Sequence, residues 1–240
     1  MPKNQYRFFV EDKLNIGEIC SIDIPLKHQL FNVLRLKSGD KISLVSNKNE
    51  FLCEIIDRDT FRVLENITCD VEAPVKLTLG VSMPKKDKLE LILQKSTELG
   101  VYDFIVFNSD NTVKTLDKET FLKNLPRYNK IITEACEQSL RLHTPSVNFE
   151  DIFKIVFKDF DLVIALELDS ESKSLHTYLS KEYKSILLLV GCEGGFSHKE
   201  IEFFKANNIK LASMAKRILR AETAAIAASH NVIYNYEMGN

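Results

Sequence analysis

The 240-residue chain lacks the features that mark several large functional classes. Its longest apolar runs, such as residues 185–190, fall far short of the roughly 20 residues a membrane span needs. Because the first residues are polar and charged, neither a signal peptide nor a membrane anchor is expected. Charged residues make up 28% of the chain but leave a net charge of only −2, so no global field draws it toward nucleic acid or a membrane. Any contact with a polyanion must therefore come from a local basic patch. Cys20, Cys53, Cys69, Cys136 and Cys192 never fall in a C-x-x-C spacing, which excludes a structural zinc site and fits a reducing cytoplasm. Each is expected to be a small core hydrophobe. The histidines (His28, His143, His176, His198, His230) are dispersed without H-E-x-x-H, so no metal is expected. A G-x-S-x-G elbow, a P-loop, G-x-G-x-x-G, internal repeats and low-complexity tracts are all missing as well, which removes common hydrolase and nucleotide-binding readings.

What is present is ample apolar material, 45% of the residues, arranged in two textures. Short β-rich runs over residues 7–10, 18–22, 41–45, 50–56 and 61–67, punctuated by glycine and asparagine turns, predict a small barrel-like unit. One helical segment, residues 28–36, interrupts them with apolar positions at 30, 31, 33, 34 and 36, and His28 and Arg35 on its polar side. An acidic, proline-containing stretch at residues 70–75 marks a boundary, giving domains at 1–71 and 72–240. Beyond it strands and helices alternate. Strands are expected at 76–83, 102–107, 162–167, 186–190 and 209–212, and helices at 85–99, 198–207 and from about 222 to the C-terminus. A further helical region, 118–142, is expected to break at Pro126. Alternation of this kind predicts an α/β fold with a mainly parallel sheet covered on both faces.

Four segments carry candidate chemistry. In Leu187-Leu188-Leu189-Val190-Gly191-Cys192-Glu193-Gly194-Gly195-Phe196-Ser197 a buried strand feeds a glycine-rich turn, and Ser197 with Glu200 spells a capping box that opens the next helix. Ligands of open α/β sheets sit at the carboxyl ends of strands, where this turn lies; a plain tight connection is the alternative. Lys216-Arg217-Ile218-Leu219-Arg220-Ala221-Glu222-Thr223-Ala224 places three cations ahead of an alanine-rich helix, as a binding loop or as solvated loop charges. Lys85, Lys86 and Lys88 crowd the start of a helix where they oppose its macrodipole, which points to a use beyond stability as well as to solubility. Glu134 and Glu137 lie one turn apart and could act as bases, though ion pairing of Glu137 with Arg141 accounts for them more simply.

Taken in order, these segments resemble the RsmE family of 16S ribosomal RNA uridine N3-methyltransferases, within the SPOUT superfamily. The resemblance begins at His28 and Val33-Leu34-Arg35-Leu36-Lys37-Ser38-Gly39-Asp40 and runs through Lys95-Ser96-Thr97-Glu98-Leu99-Gly100 and Glu134-Ala135-Cys136-Glu137-Gln138-Ser139. It is most specific at Glu193-Gly194-Gly195-Phe196-Ser197 and Arg217-Ile218-Leu219-Arg220-Ala221-Glu222-Thr223-Ala224. It implies a PUA-like β-barrel for RNA contact, then a SPOUT domain whose C-terminal part forms a trefoil knot around S-adenosylmethionine, and a homodimer. Two positions depart from the family's usual pattern: Cys192 stands where proline is usual, and Met214-Ala215 where Leu-Gly is usual.

Carried over residue by residue, the resemblance implies cofactor contacts from Leu166, Gly191, Glu193, Gly194, Gly195, Met214, Ile218, Leu219, Arg220 and Thr223. RNA contacts would come from His28, Arg35, Lys85, Lys86, Lys88 and Lys216. N3 of uracil is a weakly acidic imide, so its methylation requires that the anion be stabilised as the proton leaves. Arg220 and Arg217 are the candidates for that, and Glu222 or Glu193 for the base. The implied substrate is 16S ribosomal RNA in the small subunit. A ribose 2′-O-methyltransferase, a non-catalytic ribosome-assembly protein and a small-molecule α/β enzyme are the alternatives, the last leaving the β-rich part unused.

Overall fold

Burial alternates residue by residue along two neighbouring strands, β4 (Asn49–Ile55) and β5 (Thr60–Asn66), as it must when one face of a sheet meets a core. With β1 (Arg7–Phe9), β2 (Ile19–Ser21) and β3 (Lys41–Ser46) they form a five-stranded sheet of order β1-β3-β4-β5-β2, in which only β1 and β3 pair in parallel. This is a computed structural model, and it describes residues 6–112, 118–168, 172–180 and 182–238. The β3–β4 hairpin turns on Asn47 and Lys48, both at positive φ (48° and 61°), the handedness that suits the twist of paired strands. Leu30, Ile42, Leu44, Cys53, Ile55 and Val63 form the centre of this unit's core.

The helical segment of this unit differs from the expected one. Asp23 accepts from the Leu26 backbone N–H at 2.7 Å and Pro25 sits in the first turn, so the helix starts early, as α1 (Ile24–Lys27). It then widens into a π-helical turn over His28–Val33, where the Leu34 N–H reaches the Gln29 carbonyl at 2.9 Å. Leu26 and Leu30 face the core of this unit, and the helix stops before Arg35, which takes a left-handed φ of 57°.

The second unit is built on a seven-stranded sheet, all parallel, of order β10-β12-β9-β11-β6-β7-β8. Its strands are β6 (Lys76–Ser82), β7 (Asp103–Phe107), β8 (Val147–Phe149), β9 (Leu162–Leu166), β10 (Lys173–Ser174), β11 (Ser185–Val190) and β12 (Lys210–Ser213). β6, β9 and β11 are buried almost without interruption, the signature of strands covered on both faces. One face is covered by α2 (Lys86–Glu98) and α6 (Ala221–Glu237), which pack on each other while α6 also contacts β6 and β11. The core also holds an aromatic cluster of Phe107, Phe196 and Phe204, packed with Phe153 and Phe203, near α5 (His198–Ala206). β8, β10 and the short α4 (Leu175–Tyr178) carry too few residues to show a period and were not expected from the sequence.

Pro126 does not break its helix: α3 runs unbroken over Lys118–Gln138. Phe121 on one side of the proline and Tyr128, Ile132, Ala135 and Cys136 on the other are all buried, and this packing outweighs the lost backbone bond. The Asn124 side chain donates to the Thr120 carbonyl at 2.8 Å, and Arg127 grips Glu90 of α2 with two bonds of 2.5 and 2.6 Å. The helix ends before Leu140 turns left-handed (φ 63°), which leaves Arg141 beyond its last turn. By compactness the chain divides into residues 1–71 with 137–143, and residues 72–136 with 144–240. The short second segment thus joins the first unit, where the Arg7 guanidinium donates to the Arg141 carbonyl at 2.6 Å.

Leu79 lies fully buried in β6, near the middle of the sheet. Leu79→Ala should destabilise the protein by about 2–5 kcal/mol, read as a lowered urea midpoint with an unchanged denaturant slope.

Candidate functional site

Register brings three strand ends to one level: Val190 of β11 and Ala212 of β12 both pair with Leu166 of β9. Because the strands are parallel, three connecting segments leave the same edge of the sheet side by side. The Glu167 N–H, just past β9, donates to the Ala212 carbonyl of β12 at 2.9 Å, holding these two together at that edge.

After β11 the chain turns through Gly191-Cys192-Glu193-Gly194-Gly195. Cys192 and Gly195 form a short antiparallel bridge, with the Gly195 N–H on the Cys192 carbonyl at 2.9 Å. A Cβ on Gly191 would lie 3.2 Å from the Gly195 carbonyl carbon and press on the turn, and Gly195 itself has φ +67°, which favours glycine. Phe196 then drops into the core edge-on to Phe204, and the Ser197–Glu200 capping box, read from the sequence, is fully formed at the start of α5. Cys192 is buried, with its Sγ 3.6 Å from the Gly195 carbonyl oxygen. Ala215 does not adopt a positive φ, so the third loop needs no glycine there.

The three loops enclose a cavity of about 330 Å³. Of the residues selected from the sequence, Leu166, Gly191, Glu193, Gly194, Gly195, Met214, Arg217, Ile218 and Leu219 line it, together with Glu167 and Ser213. Ile218 is 89% exposed, an apolar side chain presented at the rim. Arg220, Glu222 and Thr223 do not line this cavity. Arg220 occupies the N-cap of α6, while Glu222 and Thr223 border a separate apolar depression of about 470 Å³ with Leu91, Leu99, Ile226, Ala227 and His230.

Lys88 is committed to two carboxylates. Its ammonium lies 2.9 Å from Glu222 and 3.7 Å from Glu193, which links α2 to both α6 and the glycine turn. Burial pushes the Glu222 carboxyl up, but the Lys88 hydrogen bond, the residue's own backbone N–H and the charges of Lys88 and Arg220 outweigh it and hold the group below its ordinary value. Lys85, Lys86 and Lys216 are exposed, and Lys86 donates to Asn124 at 3.1 Å. In the first unit His28 and Arg35 are exposed; Arg35 borders a groove of about 400 Å³ whose other cations are Lys37 and Arg58, the latter 5.4 Å over the Phe31 ring.

No motif or periodicity singled out the polar turn of Ser109, Asp110, Asn111 and Thr112 after β7. In the fold it abuts the outer side of the glycine turn, with the Asn111 amide donating to the Gly194 carbonyl at 3.1 Å. Its turn-forming composition was visible, but not the element it would meet.

Residues 71–233 match the family described as RNA methyltransferase domain, and residues 28–65 match the RNA methyltransferase PUA domain. The chain belongs to the RNA methyltransferase family. It is 32% identical to the ribosomal RNA small subunit methyltransferase E of Bacillus subtilis, over 97% of each chain. It is 34% identical to the protein of the same name from Rickettsia conorii, over 92% of each. The crystal structure of a ribosomal RNA small subunit methyltransferase E from Neisseria gonorrhoeae, bound to S-adenosyl methionine, superposes with a TM-score of 0.84 at 25% identity, covering 95% of this chain and 96% of that one. Among the described residues no helix is long and apolar enough to cross a membrane.

The Lys88–Glu222 pair carries a pH signature. A carboxyl whose folded pKa is depressed adds stability above its ordinary value of 4.5 and loses that stability as pH falls through the folded value. In Lys88→Met the burial effect is left unopposed by Lys88, so Glu222 should titrate at higher pH than in wild type. The destabilisation caused by the substitution should be largest near neutral pH and should fade in acid. Denaturant melts across the acid range and an NMR titration of the Glu222 carboxyl check both.

Proposed function

We propose that this RNA methyltransferase uses S-adenosylmethionine to methylate N3 of a uridine in 16S ribosomal RNA, forming 3-methyluridine. The observation that carries the reading is the cavity at the level carboxyl ends of β9, β11 and β12, walled by the glycine turn and by the loop that holds Arg217. Its volume of about 330 Å³ falls at the lower end of the range for ligand sites, roughly 300–1,000 Å³. Glycine at 191 lets the turn that walls it fold closely on itself, where a Cβ would press on the Gly195 backbone, and glycine at 195 takes the positive φ the turn requires. Backbone groups of Leu166, Gly191, Met214 and Leu219 would hold the cofactor, with the Glu167 carboxylate near its polar groups. When bound, the cofactor supplies an electrophilic methyl group, so that a bond from N3 to carbon forms as the sulfur–carbon bond breaks.

What remains for the protein is to hold the uracil and manage its proton. Arg217, exposed and at the cavity, is the residue proposed to stabilise the developing imide anion through its carbonyl oxygens, with Arg220 one step along the loop steadying RNA. Glu193 at the cavity is the better placed of the two proposed bases. Glu222 is engaged by Lys88 and held ionised at a depressed pKa, which weakens it as a proton acceptor.

The proposal extends to organisation. Domains 1–71 and 72–240 would divide RNA contact from methyl transfer, with His28 and Arg35 serving the first task and Lys85, Lys86 and Lys216 extending it. The trefoil knot of the SPOUT fold belongs to the same proposal. So does a homodimer, which the apolar depression around Leu91, Leu99 and Ile226 would suit. Five free cysteines suit a cytoplasmic setting, with the small ribosomal subunit as substrate.

Two measurements test the reading. The 16S RNA of cells lacking the protein should lose 3-methyluridine, and purified protein should restore it; an unchanged nucleoside profile would overturn the proposal. Arg217→Ala should lower kcat/KM by about tenfold to a hundredfold, as expected for a charge-assisted hydrogen bond made to the reacting base, with little change in Tm. Lysine at that position should recover only part of the loss.

A further inference from the structure

Glu200 is a carboxylate with no exposed surface, an expensive placement unless several donors converge on it. A capping box needs only its bond to the Ser197 N–H, here 2.6 Å. Glu200 makes two more, both outside its own helix: it accepts from the Ser109 hydroxyl at 3.0 Å and from the Asp110 N–H at 3.2 Å. These tie the start of α5 to the turn that follows β7.

That turn is itself firmly anchored. The Ser109 N–H donates to the Thr112 hydroxyl oxygen at 2.9 Å, the Thr112 N–H to the Ser109 carbonyl at 2.9 Å, and the Thr112 and Ser82 hydroxyls share a bond of 3.0 Å. From this post two side chains reach across to the glycine turn. Asp110 accepts from the Ser197 hydroxyl at 2.7 Å, and the Asn111 amide donates to the carbonyls of Gly194 and Gly195 at 3.1 and 3.4 Å. Fixing those two oxygens fixes the planes of two successive peptides in the segment that walls the cavity. The fit is close: a Cβ on Gly194 would stand 3.1 Å from the Asn111 Cβ.

We infer that Asn111 and Glu200 are positioning residues for cofactor binding, which hold the Gly191–Gly195 turn in its binding shape from the side away from the ligand. Neither lines the cavity. Both act through the turn, and so they govern affinity for the methyl donor more than the chemistry. The inference rests on the proposed methyl-transfer function for its ligand, but the ordering of the turn can be measured without one.

Asn111→Asp is the sharpest variant, because it is isosteric and sets a carboxylate oxygen against two carbonyl oxygens where an N–H₂ stood. Asn111→Ala merely removes the donor. Glu200→Gln cannot serve all three donors, since its amide N–H₂ must face an N–H or leave one unpaired. In the ligand-free protein, hydrogen exchange at Gly194, Gly195 and Phe196 should speed up by about tenfold in Asn111→Asp, the scale of one lost polar interaction, while β11 amides stay protected. Calorimetry with S-adenosylmethionine should show Kd weakened in the order wild type, Asn111→Ala, Asn111→Asp, the last by at least about tenfold. At saturating cofactor kcat should stay within about threefold, and KM for RNA should not move.

Asn111 is exposed, so its variants test the idea even if Glu200→Gln fails to fold. Wild-type exchange and wild-type Kd in Asn111→Asp would overturn the inference, as would equal losses in Asn111→Ala and Asn111→Asp. A wild-type protein that takes up no cofactor would instead overturn the methyl-transfer proposal, and the exchange rates would still decide whether the turn is clamped.

Discussion

The level ending of β9, β11 and β12 is the constraint from which the rest of the site follows. Parallel strands in register must release their connections at one edge, and Leu166, Val190 and Ala212 sit opposite one another at that edge. Three loops from distant parts of the sequence are thereby brought side by side by the sheet itself. The sheet can impose this because β9 and β11 are buried along nearly their whole length, with helices and an aromatic cluster packed around them, so a shift of register would move a whole row of core residues.

Charge is handled locally, as a nearly neutral chain requires. Lys88 is drawn between Glu222 and Glu193 and so joins the helix α2 to the glycine turn, a structural use for a cation that the sequence had placed among the RNA contacts. Arg217, Lys216 and Arg220 are exposed and lie on one loop. Of the three lysines at the start of α2, Lys88 is thus neutralised by carboxylates, whereas Lys85 and Lys86 stay exposed.

Much of this was legible in the sequence, because the strongest signals were periodic or compositional. The uninterrupted apolar run before Gly191 gave a buried strand, Ser197 and Glu200 gave a capping box, and the glycines marked a turn at a strand end. Where the reading failed, long-range packing decided the outcome. Pro126 stays inside α3 because buried residues on both sides of it hold the helix together. The segment after Asp23 widened into a π-helical turn, a change of hydrogen-bond register that the apolar spacing of residues 28–36 does not signal. Single-sequence patterns carry no information about which turn meets which, so the contact of Asn111 with Gly194 could not be read, although each turn separately could.

The glycine turn shows how two demands fall on one short segment. Where it folds back on itself it must be free of side chains, which Gly191 and Gly195 secure. A chain so bare has high conformational entropy and little of its own to hold a single shape. The outer side supplies what is missing: Cys192 and Gly195 bridge through backbone groups, Phe196 anchors the exit in the core, and the 109–112 turn fixes the carbonyls of Gly194 and Gly195 from outside. Cys192 fits this arrangement because its small buried thiol lies against the Gly195 carbonyl, and Ala215 fits because its loop never visits positive φ. Residues that differ from the usual family pattern are thus accommodated where the backbone makes no demand on them, whereas Gly191 and Gly195 stand where a Cβ or a negative φ would change the wall of the cavity itself.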